Sequence, residues 1–307
     1  MAKRQSAVAP FLLVLLLLSA AVASISCGRP SSVTFGVLAD AQFAAAPPSG
    51  SRFYDRSWLK VRDALDVFNG RGVRFVVHLG DLIDHDAASY DLILTAFAHS
   101  RAPVRFVIGN HDFDIAPDLK SGILSRLGIG RGYYAFSEGG WRFIVLNGDE
   151  LGFNFPKDEG LAAESEEMFA ALAASKRPNA TKWNGGLGRG QLAFLEAELA
   201  RADRDGRPAA VFCHFPVFPP AGHNLWNDEA VVAVLEKHAS ARAYFSGHNH
   251  AGDFAVKNGI AYLTFAGLVE TPDTGSGAVV TLTRDRLLVD GLGREPDREV
   301  PLRRPPD

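Results

Sequence analysis

The chain has 307 residues, 47% of them hydrophobic and 22% charged, a balance typical of a folded globular protein and unlike that of disordered or collagen-like chains. Its formal net charge is −3, and no long Lys/Arg run occurs, so the electrostatic footprint of a nucleic-acid binder is missing. Two cysteines, Cys27 and Cys213, cannot build the disulfide framework of a small secreted domain, and a hydrophobic core has to hold the fold.

Residues 1–27 read as a signal peptide. Lys3 and Arg4 precede an apolar block from Ala7 to Ala23, the charged start and apolar stretch that mark export. Cleavage after Ala21-Val22-Ala23 gives a periplasmic protein. Cleavage before Cys27, within Ser24-Ile25-Ser26-Cys27-Gly28, resembles bacterial lipoprotein processing and gives membrane attachment through a lipidated Cys27. An uncleaved anchor is a third reading, since about 17 apolar residues can just span a bilayer as a helix.

Beyond Pro30, short β-branched or aromatic runs alternate with helical patterns. Strands are predicted over Val33–Leu38, Arg74–His78, Val104–Ile108, Arg142–Leu146, Ala209–Cys213, Ala243–Phe245 and Ile260–Phe265. Helices are predicted over Trp58–Asn69, Ser89–His99, Ala162–Ala174, Arg189–Ala202 and Asp228–His238. Strand followed by helix, several times over, predicts an α/β fold with helices covering sheet faces. Gly277–Leu282 and Arg286–Asp290 read as further strands with little helix between them, suggesting a second, more antiparallel sheet that completes one domain over residues 33–300. No linker long enough to separate two domains interrupts this span, and no segment marks an obligate protein partner.

Polar residues sit where these strands end. Val37-Leu38 leads into Asp40-Ala41-Gln42, Val76-Val77-His78-Leu79 into Gly80-Asp81-Leu82-Ile83-Asp84, and Phe106-Val107-Ile108 into Gly109-Asn110-His111-Asp112. Val211-Phe212-Cys213 leads into His214, and Tyr244-Phe245-Ser246 into Gly247-His248-Asn249-His250. In an open α/β sheet, ligands bind outside the carboxyl ends of the strands, so these five segments can converge. Carboxylates, amides and imidazoles crowded in a partly dry cleft need compensating cations. Mixed nitrogen and oxygen donors suit Mn, Fe or Zn. Any one block alone could be a turn with surface histidines; five together at strand ends make a site. His78, inside an apolar strand, reads as a core histidine satisfied by one hydrogen bond. His85, His99 and His238 carry no motif and read as solvent-exposed.

The five blocks resemble the calcineurin-like metallophosphoesterases, whose pattern is Asp-x-His, Gly-Asp-x-x-Asp, Gly-Asn-His-Asp or -Glu, a lone His, and Gly-His-x-His. Gln42 departs from it, standing where most of the family has His. The Asp-x-Gln variant, with Arg52 to Ser57, Asn184-Gly185-Gly186-Leu187 and Gly267-Leu268-Val269-Glu270-Thr271, is similar to the branch of manganese-dependent ADP-ribose/CDP-alcohol diphosphatases. The resemblance implies a four-layer αββα sandwich of the metallo-dependent phosphatase type. It implies one metal held by Asp40, Gln42, Asp81 and His250 and another by Asp81, Asn110, His214 and His248, with Asp81 bridging. Two such cations bind one phosphate and activate the attacking water. By the same resemblance His111 faces the substrate as the catalytic residue, while Asp84 and Asp112 orient their neighbours. Neutral Gln42 should favour Mn over softer ions. Arg52, Tyr54, Asn184 and His223 are candidate contacts for a small phosphorylated substrate, a nucleoside diphosphate derivative such as ADP-ribose or a CDP-alcohol. Hydrolysis of a phosphomonoester or a cyclic nucleotide is the alternative within the same chemistry, and an exported metal-binding protein without catalysis is the alternative outside it.

Overall fold

Val33, Phe35 and Val37 alternate along the first strand and point to one side, which is how an extended chain with a two-residue period buries one face in a sheet interior. The computed structural model describes residues 32–303, so the predicted signal lies outside the described residues. No helix among the described residues is long and apolar enough to cross a membrane.

Strand β1 (Ser32–Leu38) is followed by helix α1 (Ser57–Arg71), β2 (Val76–His78), α2 (Ser89–Phe97), β3 (Val104–Phe106), the short α3 (Ile123–Arg126) and the hairpin β4 (Tyr134–Glu138) and β5 (Trp141–Val145). Next come α4 (Glu159–Ala174), α5 (Arg189–Arg204), β6 (Ala209–Phe212), α6 (Asp228–Lys237), β7 (Ala241–Ser246), β8 (Asp253–Lys257) and β9 (Ile260–Thr264). Strands β10 (Ser276–Thr283), β11 (Arg286–Gly293) and β12 (Arg298–Pro301) end the described chain.

Among the described residues two six-stranded sheets form, in the orders β12-β11-β10-β1-β2-β3 and β4-β5-β6-β7-β9-β8. In each, a parallel core (β1-β2-β3, and β5-β6-β7-β9) is flanked by antiparallel strands. The C-terminal strands therefore do not build a separate antiparallel sheet. Val33 to Val37 of β1 pair with Ala278 to Leu282 of β10, so these strands extend the first sheet, because β1 would otherwise present an open edge. Strands β4, β8 and β12 are not among the predicted elements; all three are outer strands, where half-exposed residues blur the apolar pattern.

The sheets stack through alternate residues. Phe35, Phe75, Phe143, Phe212 and Phe245 fill the space between them, with Phe35 stacked on Phe75 at 4.8 Å and Phe143 on Phe212 at 5.6 Å. Each buried ring contributes about 1.5–3 kcal/mol from burial alone. The intervening residues point outward: Val76 and Val279 meet α1 and α2, while Ile144, Val211 and Tyr244 meet α5 and α6. At Gly36 an added Cβ would lie 2.5 Å from the Phe68 ring, so only glycine lets α1 settle on β1. This is the four-layer αββα sandwich, and it brings the carboxyl ends of both parallel cores to one edge.

Candidate metal centre

The parallel strands β1, β2, β3, β6 and β7 end on the polar segments that follow them, and the chain turns sharply at each end. Asp40, Gln42, Asp81 and His248 all have positive φ, at 52°, 40°, 57° and 66°. Such a backbone costs of order 1–3 kcal/mol per residue and persists only where its surroundings fix it. Here hydrogen bonds between loops fix it, donated by the amides of Asp40 to the Gly80 carbonyl (3.2 Å), Gln42 to Asp81 (2.8 Å) and Phe43 to Leu82 (3.1 Å), and by the His248 amide to the Asp40 carboxylate. Close approach also demands glycine at two places. A Cβ on Gly109 would lie 2.2 Å from Asp81 Oδ1, and one on Gly247 would lie 2.6 Å from Asp40 Oδ2.

Asp81 is the hub. Its Oδ2 lies 3.2 Å from Gln42 Nε2 and 3.3 Å from His214 Nε2, while Oδ1 accepts the His111 amide at 2.9 Å. His214 Nε2 lies 3.3 Å from Asn110 Oδ1 and 3.2 Å from His248 Nδ1. Ligand atoms of Asp81, His214 and His248 all fall within 4.8 Å of one another. On the other side of Gln42, His250 Nε2 stands 3.6 Å from Asp40 Oδ1, and the Asp40 carboxylate accepts the His248 amide. The seven predicted ligands, Asp81 among them, are thus linked in one cluster.

The donor set fits divalent cations. Gln42 Oε1 is buried without a hydrogen-bond partner, an arrangement that costs about 1–3 kcal/mol unless something binds the oxygen. The electrostatics agree. Burial disfavours charge on His214 and His250, yet Asp81 beside the first and Asp40 and Glu270 beside the second lift both pKa values to about 9. His248, buried and facing His214, is held well below its usual pKa. Burial alone would raise Asp81, but His214 and His111 hold it well below the carboxylate range. Protons on imidazoles balance the carboxylates, and cations would displace those protons on binding.

The family model of the calcineurin-like phosphoesterases matches residues 33–252. The chain belongs to that family. A manganese-dependent ADP-ribose/CDP-alcohol diphosphatase of Danio rerio is 29% identical over 87% of this chain and 97% of its own. The Homo sapiens protein of the same name is 26% identical over 86% of this chain and 91% of its own. Among solved structures, a dimetal phosphatase from Danio rerio superposes with a TM-score of 0.80 at 28% identity, covering 89% of this chain and all of that one. As a calcineurin-like phosphoesterase, the protein is a metal-dependent hydrolase.

Around the hub, Asp112 is bonded to the backbone that carries Asp81. One oxygen accepts the amides of Asp81 and Gly109 (3.1 and 2.9 Å), the other the Leu82 amide and the Tyr90 hydroxyl (both 2.9 Å). Burial and the nearby Asp81 raise its pKa to about 6. Asp84 Oδ1 stands 3.2 Å from His111 Nδ1, so Asp84, His111 and Asp114, though close enough to hold an ion, read as a carboxylate holding a histidine. His78, expected to make one hydrogen bond, makes none; both ring nitrogens are buried without a partner, and burial pushes its pKa down to about 4, so it stays neutral. His238, expected to be exposed, is buried against Asp203 at 2.7 Å.

A cleft of about 360 Å³ opens over the hub, walled by Arg52, His111, Trp183 and His223 as well as by Gln42, Asn110, His248 and His250. That size suits a small ligand. Two predicted substrate contacts do not face it. Tyr54 is buried among Ala44 and Val269, with its ring edge-on to His85. Asn184 is 1% exposed, and its whole amide is engaged: Nδ2 donates to the Asn179 and Gly222 carbonyls, and Oδ1 lies 2.9 Å from His248 Nε2. Both carry polar atoms in a loop near the motifs, and sequence spacing cannot separate such a residue from one that meets the substrate. Glu270 is a residue the sequence reading quoted without a role. It stands in the loop that follows β9, farther past its strand end than the other site residues, and lies 2.7 Å from His250 Nδ1.

Proposed function

We propose that this calcineurin-like phosphoesterase hydrolyses the pyrophosphate linkage of a nucleoside diphosphate derivative, such as ADP-ribose or a CDP-alcohol, with two manganese ions. The observation that carries the reading is Asp81 Oδ2 standing between Gln42 and His214, beside the unpartnered Gln42 Oε1. Asp40, Gln42, Asp81 and His250 would hold one ion, and Asp81, Asn110, His214 and His248 the other. The relatives named for manganese and for these substrates match across nearly their whole lengths, which supports the substrate class.

When bound, the ions supply positive charge for the phosphoryl oxygens and acidify the attacking water. The chain's own groups do the rest. Burial opposes a charge on His111, but Asp81 and Asp84 outweigh it and raise its pKa, which favours the protonated ring. Asp84 takes the Nδ1 side, leaving Nε2–H to face the cleft and donate to the leaving oxygen. Arg52, at the cleft wall, would meet a second phosphate. Trp183 and His223 line the rim where the nucleoside would lie.

Turnover of ADP-ribose, CDP-choline, a cyclic nucleotide and p-nitrophenyl phosphate, each with Mn²⁺, tests the proposal. The first two should dominate. Hydrolysis confined to the monoester or the cyclic nucleotide would overturn the substrate class while keeping the family.

Export belongs to the same reading, supported by Lys3, Arg4 and the apolar block from Ala7 to Ala23. Mass spectrometry of the mature N-terminus distinguishes a cut after Ala23, giving a free periplasmic protein, from a lipid-bearing Cys27. An intact Met1 would overturn both.

A further inference from the structure

His248 and His250 lie two residues apart in a tight turn, and both have to offer a lone pair to the same cluster. A neutral imidazole has one such nitrogen, and the partner of the other nitrogen decides which it is. We propose that Asn184 and Glu270 are positioning residues that commit opposite ring nitrogens of these two histidines, Nδ1 of His248 and Nε2 of His250, to the metal centre. The inference rests on the ligand assignment made above.

For His248 the assignment follows from the amide of Asn184. Its Nδ2 donates to two carbonyls, Asn179 at 3.1 Å and Gly222 at 2.8 Å, so the end facing His248 has to be the oxygen. An acceptor 2.9 Å from His248 Nε2 requires Nε2–H. The lone pair is then on Nδ1, which is the nitrogen 3.2 Å from His214 Nε2. Asn184 is buried and has no freedom to turn over without losing both carbonyl bonds.

For His250 the partner is the Glu270 carboxylate, an obligate acceptor once ionised, 2.7 Å from Nδ1. Nδ1 carries the proton, and Nε2 faces Asp40 Oδ1. Glu270 is itself held. Its loop is laced to the end of β1 by the Leu268 and Val269 amides, which donate to the Ala39 and Asp40 carbonyls at 2.9 and 3.0 Å. Lys60 clamps the same loop, its buried ammonium donating to the carbonyls of Leu268, Glu270 and Thr271. Thus the loop that delivers Asp40 also fixes the residue that aims His250 at it.

Two measurements test this. In full-length protein loaded with diamagnetic Zn²⁺ and ¹⁵N-labelled at histidine, ring spectra should place the proton on Nε2 of His248 and on Nδ1 of His250; the reverse pattern at either ring overturns the proposal for that residue. Mn²⁺ titration of wild type, Asn184→Leu and Glu270→Ala, followed by the electron paramagnetic resonance of free Mn²⁺, should show two ions in wild type. One ion in each variant should be weakened about 10–100-fold, and Glu270→Gln, which keeps an oxygen acceptor, should recover most of the loss. Wild-type affinity in both single variants, with circular dichroism showing them folded, would overturn the inference alone. A wild type that binds no pair of Mn²⁺ ions would overturn the ligand assignment itself.

Discussion

His111 Nδ1 lies 3.2 Å from Asp84 Oδ1, and the same buried carboxylate is approached by His85 Nδ1 at 3.3 Å and Arg52 Nη1 at 3.8 Å. One anion therefore faces three cation-forming side chains, and two of them, His111 and Arg52, line the cleft with Asp81. Asp84 stands against Nδ1 of the His111 ring and favours its charged form.

Replacing His111 by Ala should lower kcat by about 10²-fold while leaving Mn²⁺ binding and the unfolding transition unchanged. Asp84→Asn tests the electrostatics. With His111 as the proposed acid, the rate falls as pH rises through its pKa, which the Asp81 and Asp84 carboxylates raise against the effect of burial. Without the Asp84 charge that pKa drops, and the alkaline limb of the kcat–pH profile should move to lower pH. A limb that stays in place would remove Asp84 from the proton-transfer arrangement.

Gln42 has one oxygen buried without a partner and one nitrogen on Asp81. Leucine at this position keeps the volume and removes the donor. Gln42→Leu should weaken one of two Mn²⁺ ions by at least about 10-fold, read by calorimetric titration, because a ligand is lost from one side of Asp81 only. Gln42→His restores a donor, but a nitrogen one, and should shift preference toward Zn²⁺ in competition with Mn²⁺.

Trp183 is 57% exposed at the cleft rim, which is unusual for so large an apolar ring unless it meets a ligand. Base stacking on an aromatic face is worth about 1–3 kcal/mol. Trp183→Ala should raise KM for ADP-ribose by about 5- to 150-fold with kcat little changed, and Trp183→Phe should restore most of it. A diphosphate ester with aliphatic groups only should be hydrolysed equally well by all three proteins. Equal KM for ADP-ribose in wild type and Trp183→Ala would remove the stacking role.

What the sequence made readable was local. Apolar runs ending in Asp, Asn or His announced β1, β2, β3, β6 and β7 and the residues after them, because strand period and strand end are both properties of a few consecutive residues. Tyr54 and Asn184 were misplaced for the complementary reason. Whether a loop side chain turns toward a cleft or into the protein depends on segments far away: Val269 against Tyr54, and Asn179 with Gly222 against Asn184. Glu270 meets His250 only because β9 pairs beside β7, a fact of sheet order. The outer strands β4, β8 and β12 escaped because half of each faces solvent, and the joining of β10 to β1 depends on long-range pairing that no run of neighbours encodes.

Asp149 yields a prediction of opposite sign to most substitutions in a core. It follows β5, is 1% exposed, and its Oδ2 has no hydrogen-bond partner. Burial, with a further push from Asp81 and a partial offset from Lys157, raises its pKa from 3.8 to about 8. A carboxyl whose folded-state pKa lies above its unfolded value favours the fold fully at pH below about 4, and that contribution is lost as pH rises toward 8. At pH 7 the loss is on the order of 4 kcal/mol, from roughly three pH units at about 1.4 kcal/mol each. Asn at this position has nearly the same shape and never ionises. In metal-free protein, Asp149→Asn should match wild type near pH 4 and melt several degrees higher at pH 7, the gap widening with pH between those points. Urea unfolding at pH 4, 5.5 and 7 gives the free-energy difference directly, and a gap that shrinks with rising pH would mean that Asp149 is held ionised by a partner in the fold.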